Sequence, residues 1–322
     1  LLIRACVIIR LTTCDRSDNL SDANNYLLVL EKGYHMQSLV DAQIAFVTFL
    51  RDNGKAQATV LAYGKDIEQL VEHMAEQEKT QVADVTSDHI NDFKDLLKKR
   101  RYTGKSISRK INSIKAFFRY VVGQGVIDAN PADVVSHPKF EQAPPRVLSK
   151  VEYRALRDAC RGDARMSAIV ELLLQTGMRI SELASMQIQD VDFERNVITI
   201  QAQNSRPNRK VPMNLAAKRS MMEYLKIRPR ARERTVFLTK TCRPFLVRNI
   251  RTAIDRYFRL AGIKGARVND LRHTFIVEQL KAGTPLVYVS QLVGHKRITT
   301  TERYLKLIEA PEIEPNVQIE EL

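Results

Sequence analysis

Four prolines between residues 131 and 145 decide how this chain can be divided. They are Pro131, Pro138, Pro144 and Pro145 in "NPADVVSHPKFEQAPPRVLSK", and no helical period runs through the stretch. Proline donates no backbone hydrogen bond and turns the residue before it away from helix. The stretch therefore reads as a connection between two folded halves. With 322 residues in the chain, each half is long enough to bury a core of its own. The expected boundaries are a helical unit at 36–135, a linker at 136–148, a second unit at 149–307 and an acidic tail at 308–322. Residues 1–35 are expected to be an upstream extension outside the fold. "LLIRACVIIRL" is apolar but short, Arg4 and Arg10 interrupt it, and regular patterning begins directly after Met36.

The first half reads as helix throughout. "SLVDAQIAFVTFLRDNG" places Leu39, Ile44, Phe46, Val47 and Leu50 largely on one face and stops at Asn53-Gly54. "TVLAYGKDIEQLVEHMAEQ" repeats the period through Leu61, Ile67, Leu70, Val71 and Met74. A third helix is expected behind Thr86, Ser87 and Asp88, whose side chains can accept the first free amides of a helix. The fourth runs through Ile107, Ile111, Ile114, Phe118 and Val121.

From Lys98 to Arg119 there are nine Lys/Arg and no acid. A solvated face usually mixes signs, so this block suits a phosphate backbone. The expected duplex contacts are Lys98, Lys99, Arg100, Arg101, Lys105, Arg109, Lys110 and Lys115, with Ser106 among them. The whole chain leans the same way: Lys+Arg 51 against Asp+Glu 37 gives +14. Each phosphate a protein neutralises releases a counterion, so the excess favours a polyanionic partner over none. Four cysteines without a CxxC indicate neither a zinc site nor a disulfide framework, and they fit a reducing cytoplasm. No stretch is apolar enough to suggest a membrane span.

The second half is mixed. Ser149 and Glu152 form a capping box ahead of "VEYRALRDAC", and "MSAIVELLLQTG" is a long apolar helix. "VDFERNVITIQAQ" and "RKVPMN" read as two strands around "NSRPN", with "RTVFLT" a candidate third. The rest, to Leu307, is helical. The fold class is mostly α with a small antiparallel β-sheet (α+β).

Three segments of this half stand out: "TGMRISEL" with Arg179, "NDLRH" with Arg272, and "LVGHKRITTTERY" with His295 and Tyr304. Each has an ordinary structural reading. Arg179 could pair with Glu182, Arg272 with Asp270, His295 could cap a turn, and Tyr304 could be core. Their order and spacing, with a tyrosine nine residues after a histidine, resemble the tyrosine recombinase (phage integrase) family. The similarity runs from about Met36 to Leu307, "NPADVV" included, and is greatest to short Xer-like and transposon-borne members. Several ordered motifs are far more specific than one isolated pattern.

The resemblance implies a helical core-binding domain followed by a catalytic domain. It implies a site-specific recombinase that cuts one DNA strand by tyrosine attack, giving a 3′-phosphotyrosine and a free 5′-hydroxyl, with strands exchanged through a Holliday junction. Tyr304 takes the nucleophile's place, Arg179 and Arg272 bind the phosphate, His295 donates to it or positions it, and Glu182 orients Arg179. A phenol of pKa about 10 is a poor nucleophile at neutral pH. Two guanidiniums, always charged and able to fork onto two oxygens, meet the developing negative charge. No metal and no nucleotide cofactor is expected. The expected partner is double-stranded DNA at a specific site, bound by four copies; the free protein is expected to be a monomer or weak dimer.

The pattern departs from the family in two places. The box that usually opens with histidine opens with Asn269, which can donate to a phosphate but cannot shuttle a proton. His273 is expected to be structural, with compensation for that histidine the alternative. The family's leaving-group acid, a hairpin lysine, is replaced by Asn204. Lys210 is the candidate substitute, with Arg206 and Arg209 as hairpin contacts to DNA. The tail after Leu307 holds glutamates and no basic residue; it is either a disordered segment or, by resemblance, one that docks on a neighbouring subunit. Two other functions stay open: a DNA-binding protein of this fold that has lost strand exchange, and a type IB topoisomerase.

Overall fold

The structure is a computed structural model that describes residues 37–140, 143–202 and 207–308. The expected extension at 1–35, Asn204, Arg206 and the tail from residue 309 lie outside the described residues. Contacts divide the chain into two compact units, between Glu141 and Gln142.

The first unit holds four helices: α1 (Leu39–Asp52), α2 (Gln57–Glu76), α3 (Ser87–Lys99) and α4 (Gly104–Gly123). Polar side chains start three of them. Ser38 Oγ accepts from the Asp41 amide, Thr86 forms a capping box with His89, and Thr103 accepts from the Ser106 amide. The core gathers Phe46, Ile67, Leu70, Phe93, Ile111, Phe117 and Phe118, all buried. Burial of each such side chain contributes about 1.5–3 kcal/mol.

Two expected core residues are not there. Ile44 is exposed, and α1 buries Leu39, Ala42, Phe46 and Leu50 instead. Leu61 is 66% exposed, because α2 buries Val60, Ile67, Leu70 and Met74, and Leu61 sits one position round the helix from Val60. Spacing at three and four residues, not apolarity, selects the buried face.

Asp66 is 1% exposed beneath the basic block and collects its charges. Arg109 pairs with both of its oxygens, Lys110 Nζ lies 2.8 Å from Oδ1, and Ser113 Oγ donates to Oδ2 at 2.6 Å. This corrects the expectation for Lys110. It is 4% exposed, and its ammonium is taken by Asp66 and by Gln69 Oε1 at 2.6 Å. A buried ammonium needs such a partner, so Lys110 is a core residue. Lys98, Lys99, Arg100, Arg101, Lys105 and Arg109 are exposed, while Ser106 and Lys115 are half-buried.

The second unit contains α5 (Lys150–Cys160), α6 (Ala164–Thr176) and α7 (Ile180–Ser185). Three strands follow, β1 (Val191–Asp192), β2 (Val197–Ile200) and β3 (Arg209–Pro212). Then come α8 (Leu215–Ile227), α9 (Val247–Leu260), α10 (Val268–Lys281), α11 (Leu286–Val293) and α12 (Thr299–Glu302), with a 3₁₀ turn at Leu305–Leu307. Ser149 and Glu152 form the expected capping box at α5. Helix α6 is buried on most of its surface and packs against α8 and α10.

The sheet is antiparallel in the order β1-β2-β3, with Ile198 opposite Val191 on one side and Val211 on the other. The candidate strand "RTVFLT" forms only isolated bridges, Thr235 to Gln187 and Leu238 to Pro244. Val236, Phe237 and Leu238 are all buried, so the segment is packed on both sides, and among the described residues no strand lies beside it to extend a ladder. No described helix is long and apolar enough to cross a membrane.

Candidate active site

Helix α6 ends at Gly177, whose φ of +58° is the left-handed conformation that glycine adopts most readily. A Cβ there would lie 2.3 Å from Phe275 Cδ1. The turn makes Arg179 the N-cap of α7. Its amide donates to Glu182 Oε2 at 2.8 Å, and its Nη1 donates to Glu182 Oε1 at 2.9 Å. The ordinary Arg179–Glu182 reading is thus present in the structure.

That pairing does not use up Arg179. Its Nη2 donates to Gly294 O at 2.9 Å and its Nη1 to Val293 O at 3.2 Å. Arg272, 8% exposed, donates from Nη2 to the same Val293 oxygen at 2.6 Å and from Nη1 to Gly177 O. It does not pair with Asp270, whose carboxylate instead accepts from the Arg267 amide at 2.8 Å. Both guanidiniums converge on the C-terminus of α11, where the last carbonyls lack helical partners and the helix dipole favours cations.

The next residue is His295. Its Nδ1 lies 2.7 Å from Thr301 Oγ1. The Tyr304 ring stacks on the His295 ring, with centroids 6.3 Å apart, and tilts against His273 at 5.8 Å. Tyr304 is 6% exposed. Burial raises its pKa, and the Arg272 and Arg303 charges pull it back only in part. In this arrangement the phenol is held protonated. His273 Nδ1 lies 3.5 Å from Asp270 Oδ1, and Asn269 is exposed in the first turn of α10.

Arg209, expected as a hairpin contact to DNA, is placed otherwise. It points inward from β3 and forks onto Glu182, Nη1 to Oε1 at 3.0 Å and Nη2 to Oε2 at 2.7 Å, while Nε donates to Leu292 O at 2.8 Å. Strand alternation explains this: Arg209 and Val211 share the inner face, and Lys210 between them is exposed on the outer face. Lys210, the candidate proton donor, therefore projects on the opposite side from Arg209, which reaches Glu182.

The charges are strongly coupled. Burial acts to raise the Glu182 pKa, but hydrogen bonds from Arg209 and the Arg179 amide, with both guanidinium charges, hold it at about 2. Burial, then the Arg179 charge, lowers Arg272 to about 9, which leaves it protonated at neutral pH. One carboxylate thus faces three guanidiniums. The structure brings Arg179, Arg272, His295, Tyr304, Glu182 and His273 into one region of this unit, and it adds Arg209.

Helix α9 belongs to none of the motifs above, yet it exposes Arg248, Arg251, Arg256 and Arg259 opposite the buried Ile250, Ile254 and Phe258. Arginines three to five positions apart on an amphipathic helix were the available signal.

Fold and charge cluster together define a class: a two-unit, mostly helical protein whose α+β half gathers three arginines around one carboxylate. The chain belongs to the phage integrase family. The model described as "Phage integrase family" matches residues 146–310, and "Phage integrase, N-terminal SAM-like domain" matches residues 44–125.

Among curated proteins, the chain is 30% identical over 276 residues to "Tyrosine recombinase XerC" of Roseiflexus castenholzii, covering 82% of this chain and 88% of that one. It is 30% identical over 271 residues to "Tyrosine recombinase XerC" of Lactobacillus delbrueckii subsp. bulgaricus, covering 80% and 92%. The fold is similar to that of the Tn1549 transposon integrase in complex with transposon right end DNA, with a TM-score of 0.69, 20% identity and 83% and 94% coverage. It is also similar to a lambda integrase tetramer bound to a Holliday junction, with a TM-score of 0.70, 16% identity and 97% and 89% coverage.

Proposed function

We propose that this chain is a site-specific DNA recombinase that cuts and rejoins strands through a 3′-phosphotyrosine on Tyr304. The observation that carries the reading is the meeting of Arg179 and Arg272 on the Val293 carbonyl, two residues before His295. A guanidinium can fork onto the non-bridging oxygens of a phosphate, and two fixed cations offset the charge that builds in the transition state. His295 adds a third donor. Those permanent charges do what a metal ion would otherwise do, and the phosphotyrosine bond conserves the energy of the broken phosphodiester, so the reaction is assigned no metal and no ATP.

Attack requires the segment carrying Tyr304 to shift, because the ring is buried and its proton retained. Duplex binding draws on the exposed basic residues of α3 and α4 and on the arginine face of α9. Four copies on two duplexes are assigned by likeness to the lambda integrase tetramer.

Nicked suicide duplexes tiled across the DNA flanking the gene test the reading. A covalent adduct with the wild-type protein, absent in Tyr304→Phe, is expected. Binding without any adduct would identify a DNA reader that has lost catalysis, and relaxation of plasmid without a preferred site would identify a topoisomerase.

A further inference from the structure

We propose that Arg209 is a positioning residue for cleavage, one that sets Arg179 through Glu182 and ties strand β3 to the turn carrying His295. The inference rests on the recombinase reading above. Three of the Arg209 N–H groups are already committed, two to Glu182 and one to Leu292 O. The side chain is mostly buried, so it acts on the phosphate through its neighbours.

Glu182 is the hinge of the arrangement. Each of its oxygens accepts once from Arg179 and once from Arg209. With four donors converging, the carboxylate has a single orientation, and so does the Arg179 guanidinium bound to it. Arg209 also takes the Leu292 carbonyl, Arg272 and Arg179 share that of Val293, and Arg179 takes that of Gly294. The backbone leading into His295 is thereby held by three cations from three different elements.

Gly294 fits the same account. It has φ +67°, and a Cβ would stand 2.9 Å from Arg209 Nη1 and 3.1 Å from Cζ. The tip of an arginine usually gives way at little cost, but this one is pinned by three hydrogen bonds.

The test uses the full chain and the suicide duplex that the wild-type protein links to itself. Single-turnover cleavage by Arg209→Gln is expected to slow roughly 10- to 100-fold, the range found when a residue supporting a functional group is lost. The dissociation constant for the same duplex should change little. Arg209→Lys should recover part of the rate, since it keeps the charge but reaches fewer acceptors.

Because part of what Arg209 does runs through Glu182, the pair Arg209→Gln/Glu182→Gln should lose less than the product of the two single losses. The inference is overturned if Arg209→Gln cleaves at the wild-type rate. Independent, multiplying losses in the paired variant would also overturn it, as would binding and cleavage falling in proportion. If the wild-type protein links to none of the duplexes, the recombinase reading itself fails and takes this inference with it.

Discussion

Glu182 shows how one carboxylate can govern a cationic cleft. Removing it as Glu182→Ala would leave Arg179 and Arg209 partly buried without their counter-charge. Breaking such a pair from one side costs about 3–5 kcal/mol, which urea unfolding at pH 7 would measure. The same residue fixes a pH dependence. Its folded pKa of about 2 lies below the ordinary 4.5, so its contribution is complete above the ordinary value and disappears as pH falls through 4.5 toward 2. The loss should be on the order of 3 kcal/mol. Urea unfolding of wild type and Glu182→Gln between pH 6 and 2.5 checks this; parallel curves would refute it. At this scale Arg179, Arg272, His295 and Tyr304 were legible, because their motifs occur in order in the sequence. The placement of Arg209 was not. Its partners lie 27 and 83 residues away, and nothing local marks a hairpin arginine as inward-facing.

At the scale of elements, caps and breaks were readable and faces only partly so. Thr86 and Ser149 cap helices through their hydroxyls, and Gly177 ends α6 in the left-handed turn that a residue without a side chain takes most readily. Ile44 and Leu61 misled because an apolar residue on a helix is as free to face water as any other. Helix α2 offers a direct check: Ile67→Ala should cost about 2–5 kcal/mol, while Leu61→Ala should stay within about 0.5 kcal/mol. Equal losses at the two positions would contradict the packing. Asp66→Ala should cost about 3–5 kcal/mol, since it strands the buried Lys110 ammonium. Adding Lys110→Met should recover much of that loss, because an apolar side chain needs no partner; thermal unfolding of the single and paired variants would decide. The basic block looked uniform in sequence because the acid that divides it, Asp66, comes from another helix.

For the whole molecule, the net charge of +14 predicts duplex binding that weakens steeply with salt. Each lost phosphate contact should reduce the slope of log K against log salt by about 0.9. Replacing Lys99, Arg100 or Arg101, all exposed, by glutamine should lower it by up to that amount each. Lys110→Met, if folded, should leave it unchanged. Titrations of labelled duplex at several salt concentrations distinguish these outcomes; a slope insensitive to the exposed residues would remove them from the interface.

The carbonyls at the end of α11 bear on how the protein is handled at the bench. Peptide oxygens steady the arginines without cancelling their charge, and Glu182, the carboxylate bonded to Arg179 and Arg209, balances only part of it. Tetrahedral buffer anions carry the same oxygens as the phosphodiester in the proposed reaction. Phosphate or sulfate should therefore inhibit cleavage more than chloride at matched ionic strength, and assays run in phosphate buffer would understate the rate.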